Sequence, residues 1–167
     1  MVLESYGGNH MNNRNETFRW VIDEVKNKIK VSEEILTYQN PIRGVYGIFK
    51  CLDGKQDECI DVGRADNIYS RIFSGKGHLV KLKKDFKSSI LKDTYLDEKA
   101  IIKIEVVEVV TLQFDNYNLD IQRLASRENF YIDFFQTKNQ CLLQRPEGSH
   151  LKKEFWDIQK MENESSK

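Results

Sequence analysis

The sequence predicts an α+β fold, a small antiparallel sheet packed with helices, and three observations point there. Two short runs rich in Val, Ile, Phe and Tyr, residues 44–49 and 59–64, lie either side of the polar stretch 52–57. Its Asp53-Gly54 pair tolerates positive φ, so the runs should close as a hairpin over 44–63. Residues 100–110 carry Ile101, Ile102, Ile104, Val106, Val107, Val109 and Val110, the strongest strand signal in the chain, and read as a central strand. Elsewhere apolar residues recur at helical spacing.

In order, the chain opens with a loose polar leader of about 12 residues. Asn13 and Glu16 have the spacing of a capping box, and Phe18, Val21, Ile22, Val25 and Ile29 predict one amphipathic helix to about Lys30. Residues 32–36 add a short helical turn that Asn40-Pro41 ends. After the hairpin, Asp66 or Asn67 can cap a helix carrying Arg71, with Ile68 and Ile72 sharing a buried face. Residues 74–78 form a glycine-containing turn, and a basic helix over 79–91 has Leu79, Leu82, Phe86 and Ile90 as its apolar stripe. Residues 112–120 read as a loop, and residues 124–136 as a helix burying Leu124, Phe130, Ile132, Phe134 and Phe135. Cys141, Leu142 and Leu143 make a short apolar segment. Ser149 can cap a last helix with Leu151, Phe155 and Ile158 inward, fraying from Glu162.

With 167 residues the chain suits a single domain, comprising an N-terminal helical extension (1–43), a core (44–143) and a C-terminal helix (144–167). Basic and acidic residues balance at 26 each, so no global field draws it to nucleic acid or membrane. No apolar run approaches the roughly 20 residues that span a bilayer, and no secretory leader is evident, so a cytoplasmic location is expected. The three cysteines, Cys51, Cys59 and Cys141, read as reduced thiols, although Cys51 and Cys59 flank the hairpin turn and could face each other. Between Arg71 and Lys92 seven basic residues face one acid, Asp85. Alone, that stretch is a solvated lysine face; beside a phosphate site it becomes a backbone-binding surface.

These residues, taken in order, resemble the GIY-YIG nuclease family. Gly44-Val45-Tyr46 stands where that family has its first triplet, and Asp61-Val62-Gly63 where it has the second. Arg71, eight residues past Gly63, matches the helical arginine, and His78 sits in a turn before a basic helix. Glu128, within Arg127-Glu128-Asn129-Phe130-Tyr131-Ile132, is similar to the metal-binding glutamate, and Asn139 to the trailing asparagine. The resemblance spans about residues 44–143. One position departs: the family's second tyrosine is Asp61 here. Asp61 then either supplies another function, such as orienting a water or a metal-bound ligand, or the activity is lost.

The resemblance implies a GIY-YIG-like fold and a metal-dependent endonuclease cutting double-stranded DNA. With no appended targeting domain, a stand-alone restriction-type enzyme, acting singly or as a homodimer, fits best. Its catalytic set is Tyr46, Asp61, Arg71, His78 and Glu128, with Glu128 holding one Mg²⁺ or Mn²⁺ per site. Tyr46 holds or deprotonates the attacking water, Arg71 clamps the phosphate with its planar fork, and His78 relays a proton or touches phosphate. Arg64, Lys76, Lys81, Lys84 and Asn139 are the nucleic-acid contacts. Each has a plainer reading: a packed strand tyrosine, a loop histidine, a surface glutamate. The rival function is a non-catalytic nucleic-acid-binding module that keeps the fold, and an α+β interaction domain without DNA binding is the third possibility.

Overall fold

The computed structural model describes residues 16–37, 41–145 and 152–166. Its centre is a four-stranded sheet in the order β1-β4-β2-β3, formed by Ile29–Val31 (β1), Gly44–Leu52 (β2), Glu58–Ala65 (β3) and Ala100–Val109 (β4). The expected hairpin is β2–β3, with Tyr46 opposite Gly63 and Ile48 opposite Asp61. Gly54 takes φ +68° in its turn, a conformation glycine adopts without a Cβ penalty. β4 runs antiparallel to β2 on that strand's other side and lies inside the sheet, as its density of Ile and Val predicts.

The sheet is mixed rather than wholly antiparallel, because β1 pairs parallel to β4 through Ile29–Ile102 and Val31–Ile104. This overturns the single helix running to Lys30. Residues 16–19 are helical and lead into a π-helical turn, Trp20–Glu24 (α1), after which the chain turns and becomes strand. Ile29 continues the helical spacing of Val21, Ile22 and Val25, yet it also alternates with Val31 as in a strand, and β4's second edge decided between them. Asn13 lies outside the described residues. Glu16 makes ion pairs with Lys83 and Lys84.

Short helices cover one face of the sheet: Glu33–Leu36 (α2), Ile68–Phe73 (α3), His78–Lys84 (α4) and Lys92–Leu96 (α5). Their apolar sides join Tyr46, Ile48, Ile102 and Ile104 in the larger core, which holds Ile68, Ile72, Phe73, Leu79 and Leu82. Each such buried aliphatic contributes about 1.5–3 kcal/mol. Asn67 caps α3, its side chain accepting from the Ser70 N–H at 3.1 Å. The predicted basic helix over 79–91 stops at Lys84. Asp85 leaves helical geometry, a 3₁₀ turn follows at Phe86–Ser88, and Ile90 is exposed rather than part of an apolar stripe.

Tyr117–Gln136 (α6) crosses the opposite face, packing Leu124 and Ile132 against Val45, Phe49 and Val62. It starts well before residue 124, capped by Asn116, whose side chain accepts from the Leu119 N–H. Buried Asp120 accepts from the Gln113 and Phe114 N–H groups, which folds the preceding loop onto the helix. Phe130 and Phe134, expected in the core, are exposed, because one face of a helix on a sheet stays in solvent. Lys153–Ser165 (α7) likewise exposes Phe155 and Ile158 instead of turning them inward, and its helical geometry extends past Glu162 to Ser165. Ser149 and Leu151 lie outside the described residues. Leu142 and Leu143 are exposed, whereas Cys141 is buried, its thiol donating to the Cys59 carbonyl. All three cysteines are free thiols, and Cys59 stands opposite Phe49 rather than Cys51. Among the described residues no helix is long and apolar enough to cross a membrane.

Candidate active site

A cleft of about 470 Å³ opens at the outer edge of β3, lined by Tyr46, Asp61, Gly63, Arg64, Arg71, His78, Glu128, Gln144 and Arg145 among others. Strand alternation explains the convergence. β3 sends Asp61 and Gly63 to the face of the short helices and Arg64 to the face of α6, so its rim gathers groups from both layers. The five residues expected to be catalytic, separated by up to 82 positions, all line this one cleft.

Tyr46 is fully buried, with its hydroxyl 2.9 Å from His78 Nε2. The same nitrogen lies 3.5 Å from Asp61 Oδ2, so phenol, imidazole and carboxyl meet at one point. His78 opens α4 rather than sitting in the turn before it, and that helical start aims the ring at Tyr46. Gly63 makes room for the phenol: a Cβ there would stand 2.4 Å from both Tyr46 Cζ and Oη. Gly77 does the same for the turn into α4, where a Cβ would meet the Arg71 and Ile72 carbonyl oxygens at 2.5 Å.

Burial sets the protonation states. Desolvation pushes the Tyr46 phenol up to about 12, against the opposing pull of the Arg71 guanidinium. Desolvation and the neighbouring Glu128 charge raise Asp61 to about 7, again opposed by Arg71. Desolvation, then Arg71 and Lys81, lower His78 to about 4. Near neutral pH the phenol is therefore protonated, the imidazole is neutral with a lone pair to offer, and Asp61 is poised to titrate. Arg71 is exposed at the mouth, yet its charge is felt by Tyr46, Asp61 and His78 alike.

Glu128 reaches the cleft from the middle of α6 and pairs with Arg64 through Oε2. Arg64, expected to contact nucleic acid, thus spans the cleft between strand and helix. For a divalent cation the donors facing the cleft are Glu128 and Asp61, whose charges act on each other. That set fits an ion such as Mg²⁺, which takes one or two carboxylates and completes its shell with water and phosphate oxygens.

The lysines expected to bind nucleic acid, Lys76, Lys81 and Lys84, line a separate hollow of about 450 Å³ with Gly75, Val80 and Asp85. All three are exposed, and Lys84 also answers Glu16. Asn139 does not line the cleft. It occupies an exposed left-handed turn (φ 59°) just after α6, its N–H donating to the Gln136 carbonyl. Gln144 and Arg145 line the cleft in its stead, and the sequence reading did not single them out. Their only sequence signal was position, shortly after the helix bearing Glu128.

No family model, curated protein or solved structure matches the chain.

Proposed function

We propose that the chain is a metal-dependent endonuclease with a GIY-YIG-like core, acting on double-stranded DNA in the cytoplasm as a stand-alone restriction-type enzyme. One observation carries the reading: Tyr46, Arg71, His78 and Glu128, scattered along the sequence, line a single cleft, and the helix that brings His78 to it also carries the exposed Lys81 and Lys84. A phosphodiester needs an aligned water, neutralisation of charge on the pentacoordinate phosphorus, and help for the departing 3′ oxygen.

In this scheme Arg71 engages two non-bridging oxygens of the scissile phosphate with its planar fork. The Tyr46 hydroxyl, held protonated by burial, orients the attacking water. As the water's oxygen bonds phosphorus, its proton passes to the phenol oxygen while the phenol proton moves to His78 Nε2, 2.9 Å away. Tyr46 is a relay in this account and never a phenolate base. Asp61 replaces the second tyrosine of the family pattern as the carboxyl beside His78, steadying the imidazolium that forms. Glu128, assisted by Asp61, would hold the divalent ion, which when bound supplies positive charge to the phosphate and leaving oxygen. Lys76, Lys81 and Lys84 would engage phosphates away from the cut.

Incubating purified protein with supercoiled plasmid and Mg²⁺ or Mn²⁺ tests this. Nicked or linear products that vanish in EDTA and in Arg71→Ala support it, and discrete bands identify restriction. Uncut DNA that is nonetheless bound, equally by wild type and Glu128→Ala, would overturn it in favour of a non-catalytic binding module. Matched RNA duplexes set the substrate class.

A further inference from the structure

Among the described residues the outer edge of β3 has no strand beside it, yet the backbone groups of Cys59 and Val62 are met by side chains. Gln144 Oε1 accepts from the Val62 N–H at 2.8 Å, and Gln144 Nε2 donates to the Val62 carbonyl at 2.7 Å. A carboxamide carries the same donor and acceptor as a peptide unit, in one plane, so this side chain replaces one rung of a missing strand. Three positions back along the strand, Gln140 Oε1 accepts from the Cys59 N–H at 2.8 Å, and the Cys141 thiol donates to the Cys59 carbonyl. The segment supplying these groups is tied to α6: Gln136 Nε2 donates to the Cys141 and Gln144 carbonyls, both at 3.0 Å.

We propose that Gln144 is a positioning residue of the cleft. By gripping Val62 from a segment anchored on α6, it sets the spacing between Asp61 and Arg64 on the strand and Glu128 on the helix. Val62 lies directly between Asp61 and Gly63, so a slip of this rung moves Asp61 away from His78 and Gly63 away from the phenol. Covering an exposed strand edge is the simpler role such a glutamine plays. It does not account for Gln144 lining the cleft, nor for the second tie from Gln136. The catalytic consequence rests on the nuclease reading, whereas the geometric one stands without it.

Gln144→Met keeps length and volume and removes both bonds; Gln144→Glu keeps the acceptor, loses the donor and adds a charge near Asp61 and Glu128. The imidazole NMR resonances of His78 report the site's geometry without any turnover. The expected result for Gln144→Met is a shift of those resonances and at least tenfold faster amide exchange at Val62. On plasmid, kcat falls roughly 10- to 100-fold while KM changes less than twofold, the signature of misplaced groups. Gln122→Ala, on the exposed side of α6, should leave all of these unchanged. If Gln144→Met does not fold, Gln136→Met loosens the same segment while leaving the Val62 pair intact, and a smaller change in the same direction is expected. Unmoved His78 resonances in a folded Gln144→Met protein overturn the positioning role, whatever the cleavage rate. Absence of wild-type cleavage together with moved resonances counts against the nuclease reading alone.

Discussion

Gly63→Ala is the most exacting test of how the cleft is built. The added methyl would sit 2.4 Å from Tyr46 Cζ and Oη and 2.8 Å from Cε1, about 1 Å inside ordinary contact. Gly63 is not among the described residues with positive φ, so backbone strain plays no part and the effect is one of space. The ring cannot retreat, being fully buried with its hydroxyl held against His78. Overpacking of this kind costs about 1–3 kcal/mol. In a chain of 167 residues that corresponds to a fall in Tm of roughly 2–12 °C, at 2–4 °C per kcal/mol. A displacement near 1 Å also breaks the phenol–imidazole bond, and a misplacement that size costs on the order of 100-fold in rate. Thermal melts and plasmid cleavage read the two effects separately. Adding Tyr46→Leu to Gly63→Ala should recover part of the lost stability and none of the activity. If the alanine variant melts within a degree of wild type, the phenol does not rest on Gly63, and the packing argument fails.

Three further outcomes follow from the same geometry. Tyr46→Phe removes the proton relay while leaving the ring, so kcat should fall on the order of 100-fold with stability changed by only about 1 kcal/mol, checked by cleavage kinetics and urea melts. Asp61 and His78 give opposite pH slopes. The raised carboxyl stabilises the fold below pH 3.8, and that contribution is lost as pH rises through about 7. The depressed imidazole contributes above pH 6.5, and its contribution is lost as pH falls through about 4. Wild-type stability should therefore be nearly flat between them. Asp61→Asn should become more stable from about pH 4 to 6.5, and His78→Gln less stable from about pH 4 to 7, each by up to a few kcal/mol in melts across pH. Glu128→Ala removes the carboxylate that pairs with Arg64 in the cleft, and it should abolish both cleavage and any rise in Tm on adding Mg²⁺; a Mg²⁺-induced rise that persists would place the ion elsewhere.

What the sequence determined by itself was local. The Asp53-Gly54 turn, the Asn67 cap and the Ile- and Val-rich β4 depend on neighbours in the chain, and each formed as its chemistry dictates. Tyr46, Gly63, Arg71, His78 and Glu128 were named through the resemblance of residues 44–143 to the GIY-YIG pattern, and the hairpin with the helix after it fixes the relative places of the first three. What required the folded molecule was every choice made by a distant partner. Ile29–Val31 became strand because β4 offered an unpaired edge. Phe130 and Phe134 stayed exposed because a helix lying on a sheet buries only the stripe beneath it. Asp61 stood out in the sequence as a departure without a partner, and only the fold shows that α4 brings His78 to within 3.5 Å of it. Gln144 and not Asn139 reached the cleft, because the left-handed turn at Asn139 directs the following segment back along the open edge of β3, where a carboxamide can stand in for a strand.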